Sequence, residues 1–392
     1  MRTDLSGLAP LIALLLAPAA IVTAQPAGDG QPPSEESFGF DGAQTWADLD
    51  DPGDDRTLWD SLVDNMRLNV DLIANVGFTR LRTEPQFLNA LGLDFHTVVS
   101  GAEGDIGTLV LQPYVVRRDN IYERYVPVNG NDSFALELHD FYFNLTRWGR
   151  GRTNIKVGHF DVPFGLEPRT DTHFTLYQLI PLHDVGFKKD WGIALNGSPP
   201  SFDYEVSLTT GTGMDLTGLS RNPYLIAGRI GTPSEKNFVL GLSAFYGEVI
   251  DEHGTHRVDE GDPLGEVREA DGFVRRLRVG VDFSQIMGQF ELKGEFSGGR
   301  DFEQDIFNTI LETDWTSSDG KLQVYLQGIY LGQDGHLGWD ADVQTRLGVV
   351  WKIDEKWSLS AQWTHEFYDY VEEEGGVHVP DDFFGFQVRV VF

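Results

Sequence analysis

The sequence predicts an all-β chain: a membrane-spanning antiparallel up-and-down β-barrel of about sixteen strands, with the third extracellular loop folded inward. Three observations carry that expectation. From Met66 onward apolar residues fall at every second position, as where Met66, Leu68, Val70 and Leu72 alternate with Arg67, Asn69 and Asp71, and no helical period fits that run. The connections between such runs alternate in length, which suits turns at one rim of a barrel and loops at the other. The last ten residues, Phe383 to Phe392, set Phe384, Phe386, Val388, Val390 and Phe392 against Gly385, Gln387, Arg389 and Val391. In a pleated strand all five large apolar side chains then share one face, as a wall with lipid outside and water within requires.

The N-terminus reads as a signal peptide over residues 1–24. Arg2 precedes the apolar run Leu8 to Val22, and Val22-Thr23-Ala24 offers small residues for cleavage before Gln25. The run is interrupted by Pro10 and Pro18 and is shorter than the ~20 residues of a spanning helix. Residues 25–60 are rich in Pro, Gly and acid, with Arg56 the only base; such a composition cannot bury a core and predicts a disordered periplasmic extension. The barrel is expected over residues 61–392. With no cysteine in the chain, disulfides and thiolate metal sites are excluded. A formal charge of −31 argues against a nucleic-acid partner, because phosphate binding draws on clusters of Lys and Arg.

Along the chain, strands are expected near residues 66–72, 87–99, 106–118, 133–147, 152–160, 190–198, 202–211, 222–232 and 237–248. The second half adds 272–284, 288–298, 304–316, 320–331, 341–352, 357–368 and 383–392. Short connections such as Ser100–Gly104, Ser317–Gly320 and Asp354–Lys356 carry Gly, Pro or Asp-Gly turn residues. Between them lie the longer segments 119–132, 161–189, 249–271 and 369–382. Trp148, Trp191, Trp315, Trp351, Trp357 and Tyr368 fall near strand ends, where aromatic girdles meet the lipid boundary. A C-terminal strand that ends on Phe after alternating apolar residues resembles the signal read by the barrel-assembly machinery of bacterial outer membranes.

Parity lists an inward face of mixed charge that includes Asp203, Glu205, Arg276, Arg278, Asp282, Glu295, Arg346, Glu366, Gln387 and Arg389. A barrel of ~16 strands is wide enough for an aqueous channel. The segment Asp161 to Lys189 is long for a connection, and Phe164, Leu166, Phe174, Leu176, Tyr177, Leu179 and Ile180 make it too apolar to remain in water. It is expected to fold into the barrel and narrow it. Glu167, Arg169, Asp171, Lys188 and Lys189 then become charges near the constriction, with Arg276, Arg278, Arg346 and Arg389 lining the pore.

The stretch Gly158-His159-Phe160-Asp161-Val162-Pro163-Phe164-Gly165-Leu166-Glu167 resembles the G-x-F-x-x-P-F-G-L-E motif of the phosphate-selective porin O and P family. Agreement is clearest over 130–215, where Asp190-Trp191-Gly192 and the stretch from Tyr204 to Gly213 continue it. The resemblance implies a sixteen-stranded, homotrimeric channel in the bacterial outer membrane and makes Pro163, Phe164, Gly165, Leu166 and Glu167 a loop motif. Family members that prefer phosphate line the pore with arginine and lysine. Here four inward arginines are interspersed with acids, and the 249–271 and 369–382 segments are strongly acidic. A negative mouth favours cations near the entrance, so weak or cation-leaning selectivity is expected.

An enzyme is the main alternative of another class. His173, His183, His253, His256, His336 and His365 are scattered without a supporting catalytic motif; His253 and His256 lie near acids that could share a metal, but their spacing is common and loop histidines are usually solvated. A plugged structural or adhesive barrel is the third reading. The expected activity is passive diffusion of small hydrophilic solutes or ions, with no cofactor and no energy coupling.

Overall fold

The protein is described by a computed structural model over residues 65–80, 84–101, 104–119, 134–149, 152–172, 174–179, 184–214, 222–250, 273–302, 304–335, 338–371 and 377–392. The expected signal peptide, the 25–60 extension and most of the 119–132 and 249–271 loops lie outside the described residues.

Sixteen strands form in chain order. They are β1 (Met66–Thr79), β2 (Gln86–Gly101), β3 (Gly104–Asp119), β4 (Phe134–Leu145), β5 (Asn154–Asp161), β6 (Lys189–Gly197), β7 (Asp203–Thr209) and β8 (Tyr224–Gly231). The second half contributes β9 (Phe238–Ile250), β10 (Phe273–Met287), β11 (Phe290–Asp301), β12 (Gln304–Thr316), β13 (Leu322–Gly335), β14 (Gly338–Lys352), β15 (Trp357–Val371) and β16 (Val377–Val391). Each strand pairs antiparallel with its sequence neighbours, and β1 pairs with β16 to close the sheet. The closing register sets Leu72 opposite Val390, Asn75 opposite Gln387 and Phe78 opposite Phe384. Closure leaves no open edge, so every ladder donor can find a partner inside the wall.

Burial along the strands is inverted relative to a soluble protein. Leu91, Val206, Leu242, Val279, Phe384 and Phe386 are exposed on the outer face, whereas Asp282, Gln327, Thr364 and Glu366 are buried within. Apolar side chains outward and polar side chains inward is the arrangement of a wall in lipid. Where Pro113 removes a ladder donor, the β3–β4 register shifts between Leu111 and Pro113, as proline in a sheet requires.

Three sequence expectations change. The segment 369–382, read as an acidic loop, is mostly strand: β15 runs to Val371 and β16 begins at Val377, with Asp381 and Asp382 inside it. Apolar alternation stops where the lipid stops, but backbone pairing continues past it, so a strand outlasts its greasy face. The far rim also carries very short connections, since β11 ends at Asp301 and β12 begins at Gln304, while β13 ends at Gly335 and β14 begins at Gly338. Within the terminal strand, Phe384, Phe386, Val388 and Phe392 are exposed, but Val390 is only 6% exposed. It is covered sideways in an outer-wall groove shared with Leu72, Leu91 and Val388.

Candidate functional site

The third loop, residues 162–188, is bonded to side chains that share the inward parity of the wall, which puts it in the lumen. It enters through the Pro163-to-Glu167 motif. Phe164 packs with Val185 and Phe187 of the loop against Leu225, Ala227, Phe245, Val249 and Val274 of β8 to β10, and its ring meets Phe245 edge to face at 5.0 Å. Leu166 packs with Leu179 against Ile310, Ile329 and Leu331 of β12 and β13. Between these two anchors the backbone must pass close to the wall. Gly165 adopts a φ of +61°, a region that favours glycine, and any Cβ there would run into the Glu295 carboxylate. The amide of Gly165 donates to Ser243 Oγ at 3.0 Å, and that of Leu166 donates to Glu295 Oε2 at 2.7 Å. The motif therefore works as a fastener, with apolar side chains fixed on two wall sectors and a glycine that lets the backbone reach a carboxylate.

A single 3-10 turn, Glu167–Arg169, follows, with Pro168 at its start. Beyond it, Phe174 enters a third apolar cluster with Ile73, Leu88, Ala90, Tyr114 and Val116. Its ring lies 4.7 Å from that of His139 and 5.2 Å from that of Tyr114. Phe174 holds a left-handed φ of 49°, costly for a bulky side chain but offset by this packing. Its carbonyl accepts hydrogen bonds from Asn75 Nδ2 at 2.7 Å and Gln387 Nε2 at 2.9 Å, which tie the loop across the β1–β16 seam. On the other side, the Gln178 carbonyl accepts from Arg346 Nη1 at 3.0 Å and from Gln327 Nε2 at 3.2 Å. Tyr177 donates to Glu312 Oε1 at 2.7 Å. Asp184 accepts from Ser297 Oγ at 2.6 Å and Asn308 Nδ2 at 3.0 Å. Buried polar groups of this kind cost free energy unless bonded, so each wall residue specifies where one loop residue must sit.

This changes what the predicted pore charges do. Arg276 and Arg278 are fully buried. Arg276 donates to the Val185 carbonyl at 2.7 Å and pairs with Asp301, while Arg278 Nη1 lies 2.6 Å from Asp301. Arg346 is buried beneath Gln178 and also donates to Gln344 Oε1 at 3.0 Å. Expected to line open water, Arg276 and Arg346 instead bond the loop directly, and Arg278 faces the loop's Asp184 at 3.7 Å, because a buried guanidinium is tolerated only when its donors are used. Arg389 bridges Asp71 at 2.9 Å and Asp171 at 2.9 Å, and the Asp171 side chain remains half exposed.

Glu167 is buried, accepting from Thr172 Oγ1 at 2.7 Å and pairing with Lys188 Nζ at 3.0 Å. Lys188 also donates to Thr172 Oγ1 at 2.6 Å and the Thr170 carbonyl at 3.2 Å. Lys189 lies away from the constriction: it has the outward parity of Ile193 and Leu195 and is buried between Asp140 at 2.9 Å and Asp161 at 2.8 Å. The fourth loop lies against the same wall, where Trp191 Nε1 donates to the Met214 carbonyl at 3.4 Å and the Leu138 amide meets Met214 Sδ at 3.2 Å. Arg169, by contrast, is exposed.

Some functional residues escaped the sequence reading. Asp301 sits on the inward parity of β11 with Glu295, which parity did list, so extending the alternation a few residues past 298 reaches it. Asp184 lies in irregular backbone, where no period marks it, and Phe174 was singled out only for being apolar, not for its place at the β1–β16 seam. Of the six histidines weighed above, His365 is the described one. Its Nδ1 lies 2.9 Å from Asp382 Oδ1, which also accepts from Trp363 Nε1 at 3.0 Å, on the outer face of the wall. His173, His183, His253, His256 and His336 lie outside the described residues.

No family model matches the chain, and no curated protein does. Solved structures do. The barrel is similar to OprB of Pseudomonas putida in its high-pH structure, with a TM-score of 0.62 at 11% identity over 84% of this chain and 95% of that one. It is similar to the trimer form of in-vitro folded OmpT of Vibrio cholerae, with a TM-score of 0.53 at 11% identity over 83% and 99%. An anion-selective porin from Comamonas acidovorans gives a TM-score of 0.54 at 13% identity over 83% and 99%. At these identities the likeness is one of fold, and that fold is the barrel of bacterial outer-membrane porins.

Proposed function

We propose that the protein is a porin of the bacterial outer membrane, a non-enzymatic channel through which small hydrophilic solutes or ions diffuse passively. The observation that carries this reading is the third loop: a closed barrel of sixteen strands with a polar inner face holds a loop that narrows the lumen. A barrel of ~16 strands has room for both loop and water, and a narrowed lumen sorts solutes by width and charge without any reaction. Assembly as a homotrimer is part of the proposal, supported by the trimer form of OmpT, as is export by a cleaved signal peptide and insertion by the barrel-assembly machinery.

The Pro163-to-Glu167 motif supports a relation to the phosphate-selective porin O and P family. A phosphate preference needs accessible cations, however, and Arg276 and Arg346 are bonded to the loop while Arg278 is buried against Asp301 of the wall and Asp184 of the loop. With a chain charge of −31, weak or cation-leaning selectivity fits better. Reconstitution in a planar lipid bilayer tests both levels. Stepwise ohmic conductance is expected, with a reversal potential in a KCl gradient that favours potassium slightly. A barrel that inserts but never conducts would reject the channel and favour a plugged structural barrel, and a strong chloride preference would reject the selectivity alone.

A further inference from the structure

Away from the rims, several described cations of the inner face and the loop fall into bonded sets. Lys156 pairs with Glu205 at 2.7 Å, and Lys293 pairs with Glu312 at 2.7 Å and Asp314 at 3.0 Å. Arg229 is clamped on Asp282 through Nε at 2.9 Å and Nη2 at 2.5 Å. Lys188 is held by Glu167, and Arg389 by Asp71 and Asp171. Each cation is cancelled by a carboxylate within bonding distance, so a passing ion meets little net field from it.

Arg169 is different. It ends the 3-10 turn that the motif fastens to the wall, and its side chain is exposed with no ion pair or hydrogen bond among the described residues. The turn is fixed on both sides, by Leu166 in its apolar cluster and by the Glu167–Lys188 pair, so the guanidinium is presented from a firm base. Arg229, Asp282 and Asp203 are the charged groups that act on it from the wall. Asp282 is taken up by Arg229 and Asp203 by the Ser234 amide, so no carboxylate among the described residues is bonded to the Arg169 guanidinium. A guanidinium with all five donors open is also the side chain best suited to receive a carboxylate or a similar small anion in a forked contact.

We propose that Arg169 sets the anion permeability of the pore, its guanidinium being the point at which a small anion docks while crossing the lumen. This rests on the channel reading above. It gives one residue of the loop the task that parity alone would spread over four arginines of the wall, and it makes the protein less cation-selective than its charge of −31 implies.

Because the chain has no cysteine, Arg169→Cys introduces a unique thiol whose charge can be set after folding. The variant is reconstituted, and the reversal potential in a KCl gradient is read before and after reaction with a trimethylammonium-bearing or a sulfonate-bearing methanethiosulfonate. Restoring positive charge should return the potassium-to-chloride permeability ratio to about the wild-type value, and the sulfonate should raise it by about twofold or more. Arg67→Gln, a charge removed at the rim near the start of β1, should shift the ratio far less. Adducts of opposite charge that give the same ratio, or a rim variant that shifts it as much, would overturn the role of Arg169 while leaving the channel standing. Protein that inserts but does not conduct would overturn the channel reading and this role together.

Discussion

Arg346 Nη1 donates to the carbonyl oxygen of Gln178 at 3.0 Å across 168 residues of sequence. A side chain of the wall thus spends its charge on the backbone of the loop. The bond is buried, and a charge-assisted bond of this kind contributes about 1.5–3 kcal/mol.

Arg346→Gln should loosen the loop rather than change which ions pass. The expected result is a noisier open-channel current with a potassium-to-chloride ratio close to wild type, since the lost charge was not in contact with the ion path. Single-channel recording at constant salt checks it. A ratio change as large as that produced at Arg169 would mean that Arg346 faces the water after all.

Phe386→Lys places a cation on the outer face of the terminal strand, where Phe386 is half exposed between Val76 of β1 and Ala361 of β15. Lysine facing hydrocarbon near the midplane of a bilayer costs about 2–4 kcal/mol. Folding into lipid vesicles from urea should become less favourable by that order, while folding into detergent micelles suffers less. Equal loss in both media would indicate that this face does not meet lipid.

Asp354 supplies a pH-dependent contact at the turn between β14 and β15. Its carboxylate accepts from the amides of Lys356 and Trp357, each at 2.8 Å, and these bonds hold its pKa below the ordinary carboxylate value of 3.8. A folded pKa below the unfolded one adds stability that is fully present above the unfolded value and is lost as pH falls through the folded value. Asp354→Ala should therefore lower the melting temperature at neutral pH and differ little from wild type near pH ~2, where both carry an uncharged turn. Thermal unfolding in detergent at the two pH values checks the sign, and a difference that grows on acidification would contradict it.

Much of the wall was legible in the residues. The stretch from Leu68 to Leu72 and that from Phe384 to Phe392 announce their faces because strand periodicity is a local property, set by the pleat and by the contrast between lipid and water. The same signal failed at the upper ends of β15 and β16. There Asp381 and Asp382 extend a paired backbone beyond the lipid, and nothing apolar marks it. The Pro163-to-Glu167 motif announced a special loop, yet the reason for Gly165 became visible only once Glu295 was seen to occupy the space of its Cβ.

By itself the sequence determined that the chain is a lipid-facing antiparallel wall with a polar interior, because alternation between two solvents is encoded residue by residue. Only the tertiary structure decided which interior charges meet water. Arg389 reaches Asp71 across 318 residues, Arg276 and Arg278 converge on Asp301, and Arg169 is left exposed. Pairing of this kind depends on closure of the barrel and on the path of one loop through it, and a charge is neutralised by whatever the fold brings within a few ångströms, at any distance along the chain.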